Sequence, residues 1–161
     1  MASTPDLTVT RDVAAPAEAV WALVSDLTRM PDWSPENDEV VWLGGATAIA
    51  VGAKFQGTNH HGKRSWKTTG EVTSLEPGRS LAFLITAGPI KVAEWGYAVE
   101  ATEGGCRLTE TWTDRRGGFM KFASKLVTGV EDREAHNSSG MEATLQRIAA
   151  AAEGESPCPS P

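Results

Sequence analysis

Glu110 sits between Leu108 and Trp112 in an alternating run, on a face that strand periodicity turns toward the protein interior. A carboxyl removed from water holds its proton to higher pH and can act as a general acid or base. Two other side chains could share that work. His61 can hydrogen-bond a ligand or shuttle a proton near neutral pH, and Tyr97 offers a phenol. Plainer readings stand beside these. Glu110 pairs with an inward arginine, or its strand is flipped and the carboxylate is solvated; His61 is a rim histidine beside the Gly62 turn. The neighbouring pair His60 and His61 points to opposite faces of a strand, so the two do not share one ligand sphere. His136 reads as remote, on the polar face of a helix. No third group stands at metal-ligand spacing, and no metal is expected.

These residues depend on the strands that carry them. Leu7 to Val13 alternates as a first strand, and Pro16 opens a helix whose apolar face is Val20, Trp21, Leu23 and Val24. Ser25-Asp26 ends it and caps a short second helix, Leu27 to Met30; residues 31–35 form a turn-rich loop carrying Trp33. Six strands follow: Glu39 to Leu43, Lys54 to His61, Arg64 to Leu75, Ser80 to Thr86, Val92 to Ala101 and Cys106 to Asp114. Their turns are too short for parallel crossovers, so the sheet is antiparallel. Ser80 to Thr86 is nearly all apolar and belongs at its centre. Phe119, Phe122, Leu126, Val130, Met141, Leu145 and Ile148 then recur at helical spacing over residues 119–152. A helix of that length is about 50 Å long, more than a small domain needs, so a break is expected near Gly129. The fold class is α+β: a sheet of about seven strands curled around a long C-terminal helix.

Face assignments follow from alternation. Phe55, Gly57, Asn59 and His61 share the inward side of one strand, and Trp66, Thr68 and Gly70 that of the next. Phe83, Trp95 and Tyr97, then Glu110 and Trp112, complete the inward set. The aromatics could be plain core. However, Asn59, His61 and Glu110 share their side, and Glu134, Asn137 and Ser138 interrupt the helix stripe. Unpartnered buried polar groups cost about 1–3 kcal/mol each, so these either satisfy one another or face a cavity. The candidate ligand-binding set is therefore Phe55, Asn59, His61, Trp66, Phe83, Trp95, Tyr97, Glu110, Trp112, Val130, Glu134, Asn137 and Met141. Gly140 within the helix fits close approach of helix and sheet or ligand; Trp33 either closes the cavity or packs under the sheet.

The remaining sequence narrows the function classes. Fifteen basic and 21 acidic residues give a net charge of -6, which argues against a nucleic-acid binder. The clusters Lys63, Arg64, Lys67 and Arg115, Arg116, Lys121 read as solvated edges. Cys106 and Cys158 are the two cysteines, usage that fits a reducing cytoplasm. The start MASTPDLTVT lacks the charged and apolar regions of a secretory leader, and no apolar run reaches the ~20 residues of a membrane span. A glycine-rich dinucleotide loop, a P-loop and a GxSxG elbow are all missing, so no cofactor is expected. Residues 1–153 read as one domain, and residues 154–161 as a disordered Pro/Ser tail.

The segment DLTVTRDVAAPAEAVWALVSDLTRMPDWSP resembles the N-terminal signature of the polyketide cyclase/dehydrase group of the SRPBCC, START-like superfamily. LTETW at Leu108 to Trp112 and HNSSGMEATL at His136 to Leu145 agree with it. The resemblance spans residues 7–153 and implies the helix-grip fold. It leaves three functions open. The chain binds or transports a hydrophobic small molecule such as a lipid or polyketide-like aromatic; or it is a cyclase or dehydratase using Glu110, His61 or Tyr97; or it is an interaction or stress-related module with a filled core. A monomer or homodimer is compatible with each.

Overall fold

In the computed structural model, which describes residues 4–154, the strands are β1 (Leu7–Val13), β2 (Asn37–Trp42), β3 (Lys54–His61), β4 (Arg64–Glu76), β5 (Ser80–Ala87), β6 (Ile90–Thr102) and β7 (Gly105–Asp114). They form one curved antiparallel sheet in the order β1-β7-β6-β5-β4-β3-β2, with apolar β5 at its centre. Register puts Tyr97 opposite Glu110, Trp95 opposite Trp112 and Asn59 opposite Trp66. Cross-strand neighbours on one face are the contacts that stabilise a sheet, and here they also bring the polar candidates into range of one another. Gly70 has a specific role. Any Cβ there would lie 2.1 Å from the ring of Phe55, so glycine lets that ring lie against β4. Phe55 in turn meets Phe83 edge to face at 5.3 Å between centroids.

The helical elements are α1 (Ala17–Val24), a 3-10 turn (Leu27–Arg29), α2 (Met30–Trp33), α3 (Gly118–Thr128) and α4 (Arg133–Ala152). Asp26 caps the 3-10 turn, accepting from the Thr28 amide at 3.2 Å. Trp33 ends the short α2 instead of lying in a loop, and it is buried in the core. It therefore packs under the sheet and is not a lid. Its carbonyl accepts from Arg147 of α4 at 3.1 Å.

The long helical pattern breaks where expected. Gly129 ends α3 in the left-handed conformation, φ 74°, which glycine adopts without a Cβ penalty. Asp132 then caps α4, accepting from the Ala135 amide at 3.0 Å. The two helices differ in how they pack. In α4, Met141, Leu145, Ile148 and Ala149 are buried as predicted. In α3 the expectation fails: Phe119, Phe122 and Leu126 are 81%, 62% and 61% exposed. The period marks an amphipathic helix, but α3 turns its small and polar side to the protein.

The core is uneven along α4. Its C-terminal half packs Leu145, Ile148 and Ala149 against Val13, Val20, Val24, Leu27 and Trp33. Along its N-terminal half the contact with the sheet is local, Met141 against Ala93 and Trp112. Among the described residues, no helix is long and apolar enough to cross a membrane. The predicted tail lies, beyond Gly154, outside the described residues, as does Cys158. Cys106 is a buried free thiol.

Candidate functional site

The space between sheet, α3 and the first half of α4 is a cavity of about 560 Å³, within the range of small-molecule sites. Eleven of the thirteen predicted residues stand on its wall: Phe55, Asn59, His61, Trp66, Phe83, Trp95, Tyr97, Glu110, Trp112, Asn137 and Met141. The other two do not. Val130 is buried behind the wall. Glu134 is exposed in the first turn of α4, where its charge complements the helix dipole and faces water.

Glu110 is 2% exposed. Its partner is neither an arginine nor solvent. The Tyr97 hydroxyl donates to Oε1 at 2.8 Å, as the cross-strand register of β6 and β7 requires, while Oε2 is buried with no partner. Burial pushes the carboxyl up to about 8, against a smaller lowering by the Tyr97 hydrogen bond. Glu110 is therefore protonated at neutral pH. Burial, then the nearby Glu110, raises the Tyr97 phenol well above its ordinary range, so it stays a donor. The pair is a neutral acid and a neutral phenol set in an aromatic wall.

A second polar group lies where β2, β3 and α4 converge. Glu36 accepts from Arg133 Nη1 at 3.0 Å through Oε1 and 2.9 Å through Oε2, and His136 Nε2 lies 3.2 Å from the same carboxylate. The His136 ring meets His61 edge to face at 4.9 Å. His136 is thus on the cavity wall, not remote on a polar face as the sequence reading had it. Burial holds its pKa below the usual imidazole range; Glu36 opposes this, while Arg133 and His61 add to it. Asn37 donates to Asn59 Oδ1 at 2.9 Å, and Asn59 to Thr68 Oγ1 at 3.3 Å. The Oδ1 of Asn37 is buried without a partner. His60 stands at the cavity's exposed margin, with Nδ1 2.6 Å from Asp38.

In the basic clusters Lys63, Arg64, Lys67, Arg115 and Lys121 are exposed as expected, and Arg116 is not. The Arg116 side chain is 8% exposed and lines the cavity; its Nη2 donates to Asp114 Oδ2 at 2.7 Å and its Nη1 to Ser124 Oγ at 3.1 Å. Arg64 donates to the carbonyl of Leu126. Both hold α3 in place, Arg116 from a buried position on the cavity wall and Arg64 from the solvated edge. Burial works to raise the Asp114 carboxyl, but its Arg116 hydrogen bonds and the charges of Arg116 and Lys121 prevail and lower it. Gly140 lines the cavity, with Pro35 the neighbour nearest to an added Cβ at 3.9 Å; that is ordinary contact, so crowding does not require glycine there. Among the described residues, no group of three His, Cys, Asp or Glu side chains is placed to hold a metal.

Sequence reasoning missed Glu36, Asn37, Arg116 and His136. HNSSG at 136–140 places His136 one residue before the singled-out Asn137, and that adjacency was the available signal.

Comparison with known proteins bears on the whole chain. The family model described as polyketide cyclase / dehydrase and lipid transport matches residues 4–153. No curated protein matches. Among solved structures, the chain is similar to the Polyketide_cyc-like protein Cgl2372 from Corynebacterium glutamicum. The two share 34% identity over 92% of this chain and 91% of that one, with a TM-score of 0.63. It also resembles the Zhui aromatase/cyclase from Streptomyces sp. R1128 (20% identity, 94% and 95% covered, TM-score 0.68). The di-domain ARO/CYC StfQ from the steffimycin biosynthetic pathway is similar as well, at 13% identity over 92% of this chain and 50% of that one, with a TM-score of 0.72. The last two likenesses speak to the fold, and the chain has the helix-grip architecture.

Proposed function

The chain belongs to the polyketide cyclase/dehydrase and lipid transport family, and on that premise we propose that its cavity binds a hydrophobic small molecule, a lipid or a polyketide-like aromatic. The observation that carries this reading is Glu110, a buried carboxyl with one oxygen unpartnered, in a wall of Phe55, Trp66, Phe83, Trp95 and Trp112. Most ligand sites are apolar with a few placed polar groups that fix orientation. A neutral carboxylic acid can donate to a ligand carbonyl or hydroxyl without bringing a charge into an apolar space. The filled-core module loses its ground, because about 560 Å³ is open. The two-cysteine usage supports a cytoplasmic setting.

The enzyme reading is favoured by the same residue. With its pKa raised to about 8, Glu110 holds a proton that it can give at neutral pH. In a dehydration it would protonate a departing hydroxyl, while His136, whose pKa is lowered, or else His61 accepts the proton from the adjacent carbon. The C–H and C–O bonds break, a C=C bond forms, and water leaves. Names of structural neighbours such as aromatase/cyclase support this class of chemistry.

Native mass spectrometry of the freshly purified protein, followed by denaturation and identification of what is released, tests the binding reading. A retained mass that thermally stabilises the apo protein when added back is expected. A clean apo mass, together with no stabilisation by fatty acids or flat aromatics, would overturn it. Turnover by wild type but not by Glu110→Gln, with binding kept, would distinguish the enzyme from the carrier.

A further inference from the structure

The outer face of α3 is built the wrong way round for a helix packed on a protein. Phe119, Phe122 and Leu126, spaced i, i+3, i+7, lie together in solvent, with Val127 54% exposed beside them. The helix is held from its other side by polar contacts: Arg116 to Ser124 Oγ, and Arg64 to the Leu126 carbonyl. Ser124 and Thr128 belong to the cavity wall. An exposed apolar stripe of this kind marks an interaction surface.

Charge identifies the partner. The chain carries -6 overall, yet α3 (GFMKFASKLVT) has no acidic residue and two exposed lysines, Lys121 and Lys125. Lys121 Nζ lies 4.0 Å from Asp114, whose carboxylate already pairs with Arg116. The β3–β4 turn reaches the C-terminal end of the same helix through Arg64 and adds exposed Lys63. At 100° per residue both lysines fall on one flank of the aromatic stripe. Phenylalanine and leucine on one side and lysine beside them is the pattern of a helix lying in a membrane interface. A second copy fits less well, since an antiparallel two-fold contact through α3 would set these lysines on the same side as their own equivalents.

We infer that α3 is a docking element for an anionic lipid bilayer. Phe119, Phe122 and Leu126 enter the headgroup boundary, and Lys121 and Lys125, with Lys63, meet the anionic headgroups. Docking sets the outer face of α3 against the bilayer, with Ser124 and Thr128 of the cavity wall on the opposite face of the same helix. The inference stands on the surface of α3 and holds whatever the cavity carries.

The test is co-sedimentation of the full chain with vesicles of phosphatidylcholine alone or mixed with phosphatidylserine. Wild type should partition onto the mixed vesicles, weakly onto phosphatidylcholine, and less as salt rises. Each lysine near the surface is worth roughly fivefold, so Lys121→Gln with Lys125→Gln should weaken partition about 25-fold. Phe119→Ser with Phe122→Ser should abolish it; these positions are exposed, so melting temperature and circular dichroism should stay at wild-type values. Failure of wild type to partition onto mixed vesicles would overturn the inference, as would equal partition of the serine variant. A concentration-dependent dimer that the serine variant disperses, with no vesicle binding, would also overturn it and assign the face to a second copy. A cavity variant such as Glu110→Gln should sediment like wild type, which separates this inference from the binding reading.

Discussion

Glu110→Gln should make the protein more stable in alkali. Glu110 has a native pKa of about 8 against an ordinary value of 4.5, so between those limits the native state binds a proton that the unfolded chain has released. Stability is full below the lower value and falls as pH rises through the upper one. The slope is about 1.4 kcal/mol per pH unit across the window, and the total loss is about 5 kcal/mol. Glutamine has the shape of the protonated acid and still accepts from Tyr97, but it cannot ionise. Urea unfolding of wild type and variant at pH 5, 7 and 9 isolates the effect, because the other titrating groups are common to both. The two should agree within about 1 kcal/mol at pH 5. The variant should gain progressively, to about 4–5 kcal/mol at pH 9. Parallel curves would refute the reasoning, since Glu110 would then be as well accommodated charged as neutral.

Two further predictions concern its neighbours. Tyr97→Phe removes the one hydrogen bond that lowers the Glu110 pKa. It should cost about 1 kcal/mol and move the alkaline loss of stability to higher pH in the same unfolding series. Asp114→Asn breaks the pairing with Arg116 and should cost about 1.5–3 kcal/mol at neutral pH. Because the Asp114 pKa is lowered, that difference should shrink as pH falls through its native value, where wild type loses the same interaction.

The sheet was legible because alternation and turn residues specify it twice over. Phe55, Trp66, Phe83, Trp95, Tyr97, Glu110 and Trp112 all face inward as their period predicts, despite register shifts between Val72 and Ser74 and between Ile85 and Thr86. The shifts sit beyond Gly70 on β4 and at the far end of β5, so they leave these faces intact. The helices were less legible. Helical period reports that a face is apolar, not that a partner covers it, and Phe119, Phe122 and Leu126 have none among the described residues. Gly129 nonetheless marked the break correctly, because its left-handed geometry is local. The Glu36–Arg133–His136 group was illegible for another reason. Residues 36 and 133 are far apart in sequence, and only the approach of the β2 entrance to the start of α4 joins them. Arg116 looked like surface charge, since nothing local shows that Asp114 and Ser124 enclose it.

The central claim is that the space between sheet and α4 is a ligand site. Trp66, Trp95 and Trp112 line it, so their fluorescence reports on occupancy. The decisive measurement is a fluorescence titration with a hydroxyanthraquinone, comparing wild type with Gly57→Ile. Position 57 faces the cavity, and a Cβ there comes no closer than 3.4 Å to a neighbour; isoleucine suits a strand. Wild type should show saturable quenching at one site, and Gly57→Ile should lose it while keeping the wild-type melting temperature. Saturable binding that persists unchanged in the filled variant would place the ligand elsewhere and contradict the account.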